Sequence, residues 1–360
     1  MYTLTLEVNQ ICNFKCSYCY LGEKNGKVMS EDVAYAGIDL ALLNAQKHQD
    51  KRLWVDFVGG EALLSFEMIC KIVRYIEKQR LRKDITVNYS ITTNGSIMNK
   101  KILRFFIDKK VHIKLSIDGD KMIHDRNRKL LNGEGSFEII EKNLISFKLY
   151  EKYTSINIQA AHVITHNNFR EIFYSVRYLV DKLGFNIIDS SLDNTEKWSQ
   201  DELDMLADEW EKIICYYLLK YKQKKPFLWG AILDMMRYEK SQKVSYCGVG
   251  LIRTYVRYDG GIYGCAANLS ESGLIGNVWS GFTTKKIEML RNIQKGKGLC
   301  RECDLGVLCN SKECIMNNLE YSGRTDEVKP DACYFEKKKY NLWEKYKNDL
   351  KITLGNILDN

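Results

Sequence analysis

No apolar run in the 360 residues is long enough to cross a membrane: Ile213 to Leu219 (IICYYLL) stops at Lys220, far short of the about 20 residues a span needs. No charged-then-apolar layout opens the chain, as a signal peptide would; MYTLTLEVNQ alternates polar and apolar residues as a strand does. No long basic run accompanies the formal charge of +8, which 54 Lys and Arg against 46 Asp and Glu leave spread over a large surface. Solvated faces of ordinary helices are therefore expected, not a nucleic-acid footprint. There is no repeat at the solenoid periods and no low-complexity tract. What remains is a cytoplasmic globular chain, long enough for a barrel-sized domain with an appendage.

What the chain does have is 12 cysteines. A reducing compartment keeps such thiols from forming a disulfide framework, so metal binding is the leading use for them.

Strand-like and helix-like runs alternate through the first half. Strands are expected at Tyr2 to Val8, Leu53 to Val58, Asp84 to Thr93, Val111 to Ile117, Ser155 to Thr165 and Phe185 to Asp189. Between them lie helices opening at Ser30, whose side chain can cap a first turn holding Glu31 and Asp32, and then near Ser65 to Gln79, Asn99 to Lys109, Phe137 to Lys152 and Phe169 to Leu183. Six strands joined by five helices point to parallel pairing through crossovers. Six units are too few for a closed eight-fold barrel, so the expected α/β fold is a partial (β/α)6 barrel over residues 1–195, with its site at the carboxyl ends of the strands. Residues 196–244 read as a helical bridge, 245–335 as a small cysteine-rich metal-organised domain, and 336–360 as a terminal helix and tail.

Directly after the first strand, CNFKCSYCY places Cys12, Cys16 and Cys19 in the pattern C-x3-C-x2-C. Three thiolates on one loop can ligate three irons of a cubane, leaving the fourth iron open to a substrate or cofactor. Structural zinc needs four N or S ligands, and the nearest histidine, His48, lies beyond the following helix.

At these residues the chain resembles the radical S-adenosylmethionine (SAM) enzymes, whose signature is C-x3-C-x-aromatic-C at the end of strand one of a partial (β/α)6 barrel; Tyr18 fills the aromatic place. The loop Gly59, Gly60, Glu61, Ala62 matches the family's glycine-glycine-glutamate loop, which implies contacts to the methionine amino group, and glycines let backbone approach a ligand closely. Ser116 and Asp118, in SIDG at the end of strand four, stand where the family uses a small polar residue near ribose and methionine. By the same resemblance Arg128, last in HDRNR, approaches the SAM carboxylate, the Tyr18 backbone reads the adenine, and Ile164 packs on that ring. The implied chemistry is chelation of SAM at the open iron, one-electron cleavage to a 5′-deoxyadenosyl radical, and hydrogen abstraction from substrate, with the barrel orienting the reactants and excluding water.

The later cysteines read Cys247, x12, Gly260, x4, Cys265; then Cys300, x2, Cys303, x5, Cys309, x4, Cys314; then Cys333. Seven thiolates are too many for one tetrahedral zinc and suit two iron-sulfur clusters. The run resembles the SPASM extension of radical SAM enzymes, with one departure: four residues, not three, separate Cys309 from Cys314. The family's interleaved ligation implies an outer cluster on Cys300, Cys303, Cys309 and Cys333 and an inner one on Cys247, Cys265 and Cys314, hence three 4Fe-4S clusters in all. The inner cluster either has an open iron or takes a ligand from elsewhere. Cys70 and Cys215 are expected in the core, Cys215 also being the spare thiol that could complete the inner cluster.

SPASM-bearing relatives mostly modify peptides and proteins, and a cross-linking peptide maturase (thioether or carbon-carbon) is the expected activity, ahead of peptide epimerisation. Formylglycine generation of the anaerobic sulfatase-maturase type is the other alternative, although the Asp that follows the cysteine of G-x4-C in those enzymes is Ala266 here. A non-catalytic metal scaffold is the remote one. No residue is singled out as the catalytic acid or base. Expected partners are the peptide or protein, an electron donor such as flavodoxin or ferredoxin, and a separate leader-binding protein, because strand one starts the chain; no membrane or nucleic acid is expected.

Overall fold

The structure is a computed structural model and describes residues 1–239, 247–291, 300 and 302–358. The expected boundary at 244/245 lies outside the described residues.

Six strands form as the alternation requires: β1 (Tyr2–Glu7), β2 (Arg52–Val58), β3 (Thr86–Thr93), β4 (His112–Ser116), β5 (Gln159–Ile164) and β6 (Ile187–Leu192). All pair in parallel and in sequence order. One half of each alternation, including Leu4, Leu6, Val55, Phe57, Ile113 and Leu115, is buried against the covering helices, each such side chain contributing about 1.5–3 kcal/mol.

The helices are α1 (Glu31–Gln46), α2 (Phe66–Lys83), α3 (Lys100–Lys109), α4 (Phe137–Thr154) and α5 (Ile172–Asp181). Ser30 caps α1 by accepting from the Val33 N–H at 3.3 Å. Asn99 caps α3 through the amides of Lys101 and Ile102, both at 3.0 Å. This is the partial (β/α)6 barrel.

The sheet continues on both sides. Leu228–Trp229 pairs in parallel with β6. On the other side β7 (Arg253–Val256), from the cysteine-rich region, pairs in parallel with β1, register Thr5 to Tyr255. From β7 the pairing turns antiparallel through β8 (Gly261–Tyr263) and β9 (Leu274–Asn277). Cys247 precedes β7 and Cys265 follows the antiparallel β8, so both lie at the end of the sheet where β1 begins, opposite the Cys12 loop that follows β1.

Helix α6 (Gln200–Lys222) starts with a reciprocal capping box between Ser199 and Glu202. The long helix α7 (Pro330–Leu358) carries Cys333 and packs on it. Phe335 of α7 meets Trp210 edge to face at 5.1 Å, and the Tyr334 hydroxyl donates to Asp204 at 3.0 Å. No helix among the described residues is long and apolar enough to cross a membrane.

Candidate functional site

The loop that leaves β1 is zipped to the loop that leaves β2. Asn9, fully buried, donates through Nδ2 to the Glu61 carbonyl at 3.0 Å and to Ser65 Oγ at 2.8 Å, while its Oδ1 accepts from the amides of Ile11 and Gly60, both at 3.2 Å. The Gly60 and Glu61 amides donate to the Asn9 and Ile11 carbonyls at 3.1 and 2.7 Å. A Cβ on Gly60 would stand 2.3 Å from the Ile11 oxygen and 3.0 Å from the Cys12 Cβ. The glycine thus makes room for the protein's own Cys12 loop, a closer constraint than approach to a ligand.

Glu61 is 1% exposed and turns its carboxylate inward, where Oε1 accepts from the Leu63 amide at 3.0 Å and Thr93 Oγ1 at 2.9 Å, and Oε2 from the Asn94 amide at 2.7 Å. Burial still raises its pKa against these three bonds. Asn94 in turn reaches the triplet loop, donating to Asn13 Oδ1 at 2.9 Å and lying 3.9 Å from Cys12 Sγ.

The other half of the triplet is tied to the segment between β4 and α4. Phe14–Cys16 pairs antiparallel with Arg128–Leu130, setting Cys16 opposite Arg128. Ser17 bonds Asn127 twice, amide to carbonyl and Oγ to Oδ1, both at 3.0 Å. Asp118, 0% exposed, collects the Tyr18 hydroxyl at 2.6 Å, Arg128 Nε and Nη2 at 2.9 and 3.0 Å, and the Val163 amide at 3.0 Å. The Arg128 guanidinium also lies 5.2 Å from the centre of the Tyr18 ring. Burial alone would raise the Asp118 pKa, but Arg128 overrides it and holds the carboxyl at about 2. Two residues expected near SAM therefore hold each other, and both hold the aromatic residue of the cysteine motif. Ser116 ends β4 half-buried, in register with Ala161. Ile164 is fully buried in the apolar core, in the half of the β5 alternation shared with Ala160 and His162.

All the cysteines are free thiols. Burial raises the Cys12 thiol and pushes Cys16 up to about 11, with Cys19 and, for Cys16, Cys12 adding repulsion. In the second region the same signature separates two groups. Burial lifts Cys265 to about 12, with Cys314 and Cys247 contributing, and Cys314 feels Cys247. Burial lifts Cys309 to about 11, with Cys333 contributing, and Cys333 feels Cys300 and Cys303. Mutual charge effects thus link Cys12, Cys16 and Cys19; Cys247, Cys265 and Cys314; and Cys300, Cys303, Cys309 and Cys333. Among the described residues no three His, Cys, Asp or Glu side chains converge as they would on one ion. All-sulfur sets of three or four thiols fit iron-sulfur groups, and the three-thiol sets fall short of the four ligands that tetrahedral structural zinc needs. Occupation would require these raised thiols to release protons.

Cys70 is half-buried against the core as expected. Cys215 is exposed on α6, its sulfur 3.6 Å from the Tyr346 hydroxyl of α7, so its neighbour is that helix and not a cysteine group.

Sequence reasoning missed Asn9, which is read as an ordinary loop residue, and Glu7 with Tyr255. Glu7 ends β1 fully buried and accepts from Tyr255 at 2.6 Å and Gln10 at 3.0 Å, and burial raises its pKa. A lone carboxylate closing the strand before the triplet was the available signal; its tyrosine partner, 248 positions away, gave none.

Comparison with known proteins agrees with this fold. The family model described as the Radical SAM superfamily matches residues 6–173. An uncharacterized protein of Methanocaldococcus jannaschii is 31% identical over 213 residues, 59% of this chain and 69% of that protein. A cysteine-type anaerobic sulfatase-maturating enzyme of Clostridium perfringens is 24% identical over 321 residues, 83% of this chain and 84% of that enzyme. Among solved structures, native anSMEcpe with bound AdoMet and Cp18Cys peptide aligns with a TM-score of 0.79 at 20% identity over 99% of both chains, a likeness of fold. With its triplet at the end of strand one of this barrel, the chain belongs to the radical SAM superfamily of enzymes.

Proposed function

We propose that this radical SAM enzyme is a SPASM-type maturase acting on a residue within a ribosomally made peptide or protein. The observation that carries the reading is the three-thiol loop of Cys12, Cys16 and Cys19, one ligand short, at the end of β1, together with two further sets of cysteines in the region that adds β7 to the same sheet. In this reading Cys12, Cys16 and Cys19 hold the SAM-binding cluster, Cys247, Cys265 and Cys314 the inner auxiliary cluster, and Cys300, Cys303, Cys309 and Cys333 the outer one. When bound, the first cluster and SAM supply a 5′-deoxyadenosyl radical that takes a hydrogen atom from the substrate. The chain's own residues orient and enclose. The zipped loops of Asn9 to Ile11 and Gly59 to Glu61 fix Cys12 and present backbone to the methionine end, while Tyr18, Ser116, Asp118 and Arg128 form the opposite wall and Ile164 backs the adenine side.

Formation of a thioether or carbon-carbon cross-link is the favoured outcome, with epimerisation behind it. Formylglycine formation is the second reading, favoured by likeness to the sulfatase-maturating enzyme and opposed by Ala266 in the place of that family's acidic residue. A flavodoxin or ferredoxin would supply the electron, and a separate protein would bind a leader peptide.

Co-expression with short peptides encoded beside the gene, followed by mass spectrometry, tests the reading. Loss of two hydrogens supports cross-linking or oxidation, and deuterium uptake alone supports epimerisation. Unchanged masses for every neighbouring peptide, with enzyme that cleaves SAM, would reject the peptide substrate.

A further inference from the structure

Glu336 is a fully buried carboxylate one helical turn beyond Cys333 in α7. Four donors from three elements close on it. The Tyr238 hydroxyl at 2.7 Å and the Asn310 amide at 2.8 Å reach Oε1; Ser311 Oγ at 3.0 Å and Lys339 Nζ at 2.7 Å reach Oε2. Asn310 directly follows Cys309, so the carboxylate is fixed between two thiols of the outer group. Its charge is felt at both Cys309 and Cys333. The inner group differs in the charges it senses, since Cys314 feels the positive charges of Arg237 and Arg253.

An all-donor shell keeps a carboxylate ionised and stops it turning away. Reduction of an iron-sulfur group adds one negative charge to it, and net charge nearby is one of the levers that set its potential. We propose that Glu336 is a potential-setting residue, whose fixed negative charge makes the group held by Cys300, Cys303, Cys309 and Cys333 harder to reduce, with Lys339 offsetting part of the effect. The inference rests on the reading of these cysteines as cluster ligands. For unit charges about 8 Å apart at an effective dielectric of about 20, the interaction amounts to roughly a thirtyfold change in the ratio of reduced to oxidised group, and partial cancellation by Lys339 leaves about tenfold.

The test is an EPR-monitored redox titration of the anaerobically purified holoenzyme, with dithionite as the one-electron donor, for wild type, Glu336→Gln and Lys339→Gln. At a fixed poise the reduced-to-oxidised ratio of the outer cluster should rise about thirtyfold in Glu336→Gln, since Lys339 keeps its charge in both proteins, equivalent to about 90 mV for one electron. It should fall in Lys339→Gln. Opposite shifts from two changes that each remove one charge, of opposite sign, would not follow from a purely structural role. Unchanged ratios in both variants, with full iron content, overturn the proposal. If Glu336→Gln alone loses the outer cluster, Lys339→Gln decides: a fall supports the proposal and no change overturns it. Wild-type protein with about four irons and no auxiliary signal would instead defeat the cluster reading itself.

Discussion

Replacing Asp118 by Asn removes one charge and changes almost no volume, at a place where the structure allows the cost to be worked out. Asp118 is 0% and Arg128 5% exposed. The carboxylate accepts two bonds from the guanidinium, one from Tyr18 and one from the Val163 amide. In the variant Arg128 keeps its charge and loses its counter-ion, and breaking a buried pair on one side costs about 3–5 kcal/mol. For a chain of this length that corresponds to a fall in Tm of about 4–7 °C. Calorimetry or denaturant melts of anaerobic protein read the loss. The double variant Asp118→Asn, Arg128→Gln should recover at least about 2 kcal/mol relative to the sum of the single changes. Because the Tyr18 hydroxyl is anchored on the same carboxylate, Asp118→Asn should also reduce iron in the N-terminal cluster and the yield of 5′-deoxyadenosine. Stability within about 1 kcal/mol of wild type together with an unchanged yield would refute the reasoning that this pair braces the triplet loop.

Gly60→Ala drives a methyl group against the Ile11 carbonyl and Cys12, so we expect about 1–3 kcal/mol of destabilisation and loss of the SAM-binding cluster, read by melts and iron analysis. His124 and His162, both buried, are held neutral, their pKa values lowered by burial to about 3 and about 4. The unfolded chain binds these protons at higher pH than the fold does, so stability is complete above about pH 6.5 and should fall by about 4 kcal/mol on going to pH 5. Urea midpoints at the two pH values measure the fall, and His124→Gln should remove about half of it. Replacing Cys12, Cys16 and Cys19 together by Ala should leave about eight of about 12 irons bound, by iron analysis of the purified variant.

The barrel was legible because its information is local. Tyr2 to Val8 and Leu53 to Val58 alternate cleanly, and Ser30 and Asn99 announce their helices by capping chemistry. The end of β6 was less so: Ser190 and Ser191 read as loop, yet parallel pairing carries the strand to Leu192 opposite Ile164. β7 was not legible at all, being four residues in a glycine- and cysteine-rich stretch whose partner, β1, lies some 250 positions earlier. The cysteine triplet and its glycine-glycine-glutamate companion stood out by composition and spacing. Their supports did not, since the pairing of Asn9 with Gly60, of Tyr18 with Asp118, and of Cys16 with Arg128 exists only once distant strand ends are brought together. Arg128 illustrates the difference: ten positions from Asp118 it reads as a ligand-binding arginine, and in the fold it is first the buried counter-ion of that carboxylate.

The most direct measurement incubates anaerobically reconstituted protein with SAM and dithionite and quantifies 5′-deoxyadenosine against the variant with Cys12, Cys16 and Cys19 replaced by Ala. Wild type should release 5′-deoxyadenosine and methionine in equal amounts, and the variant none. Absence of 5′-deoxyadenosine from iron-replete wild type, or equal release from the variant, would contradict the central claim that this three-thiol loop holds the cluster that cleaves SAM.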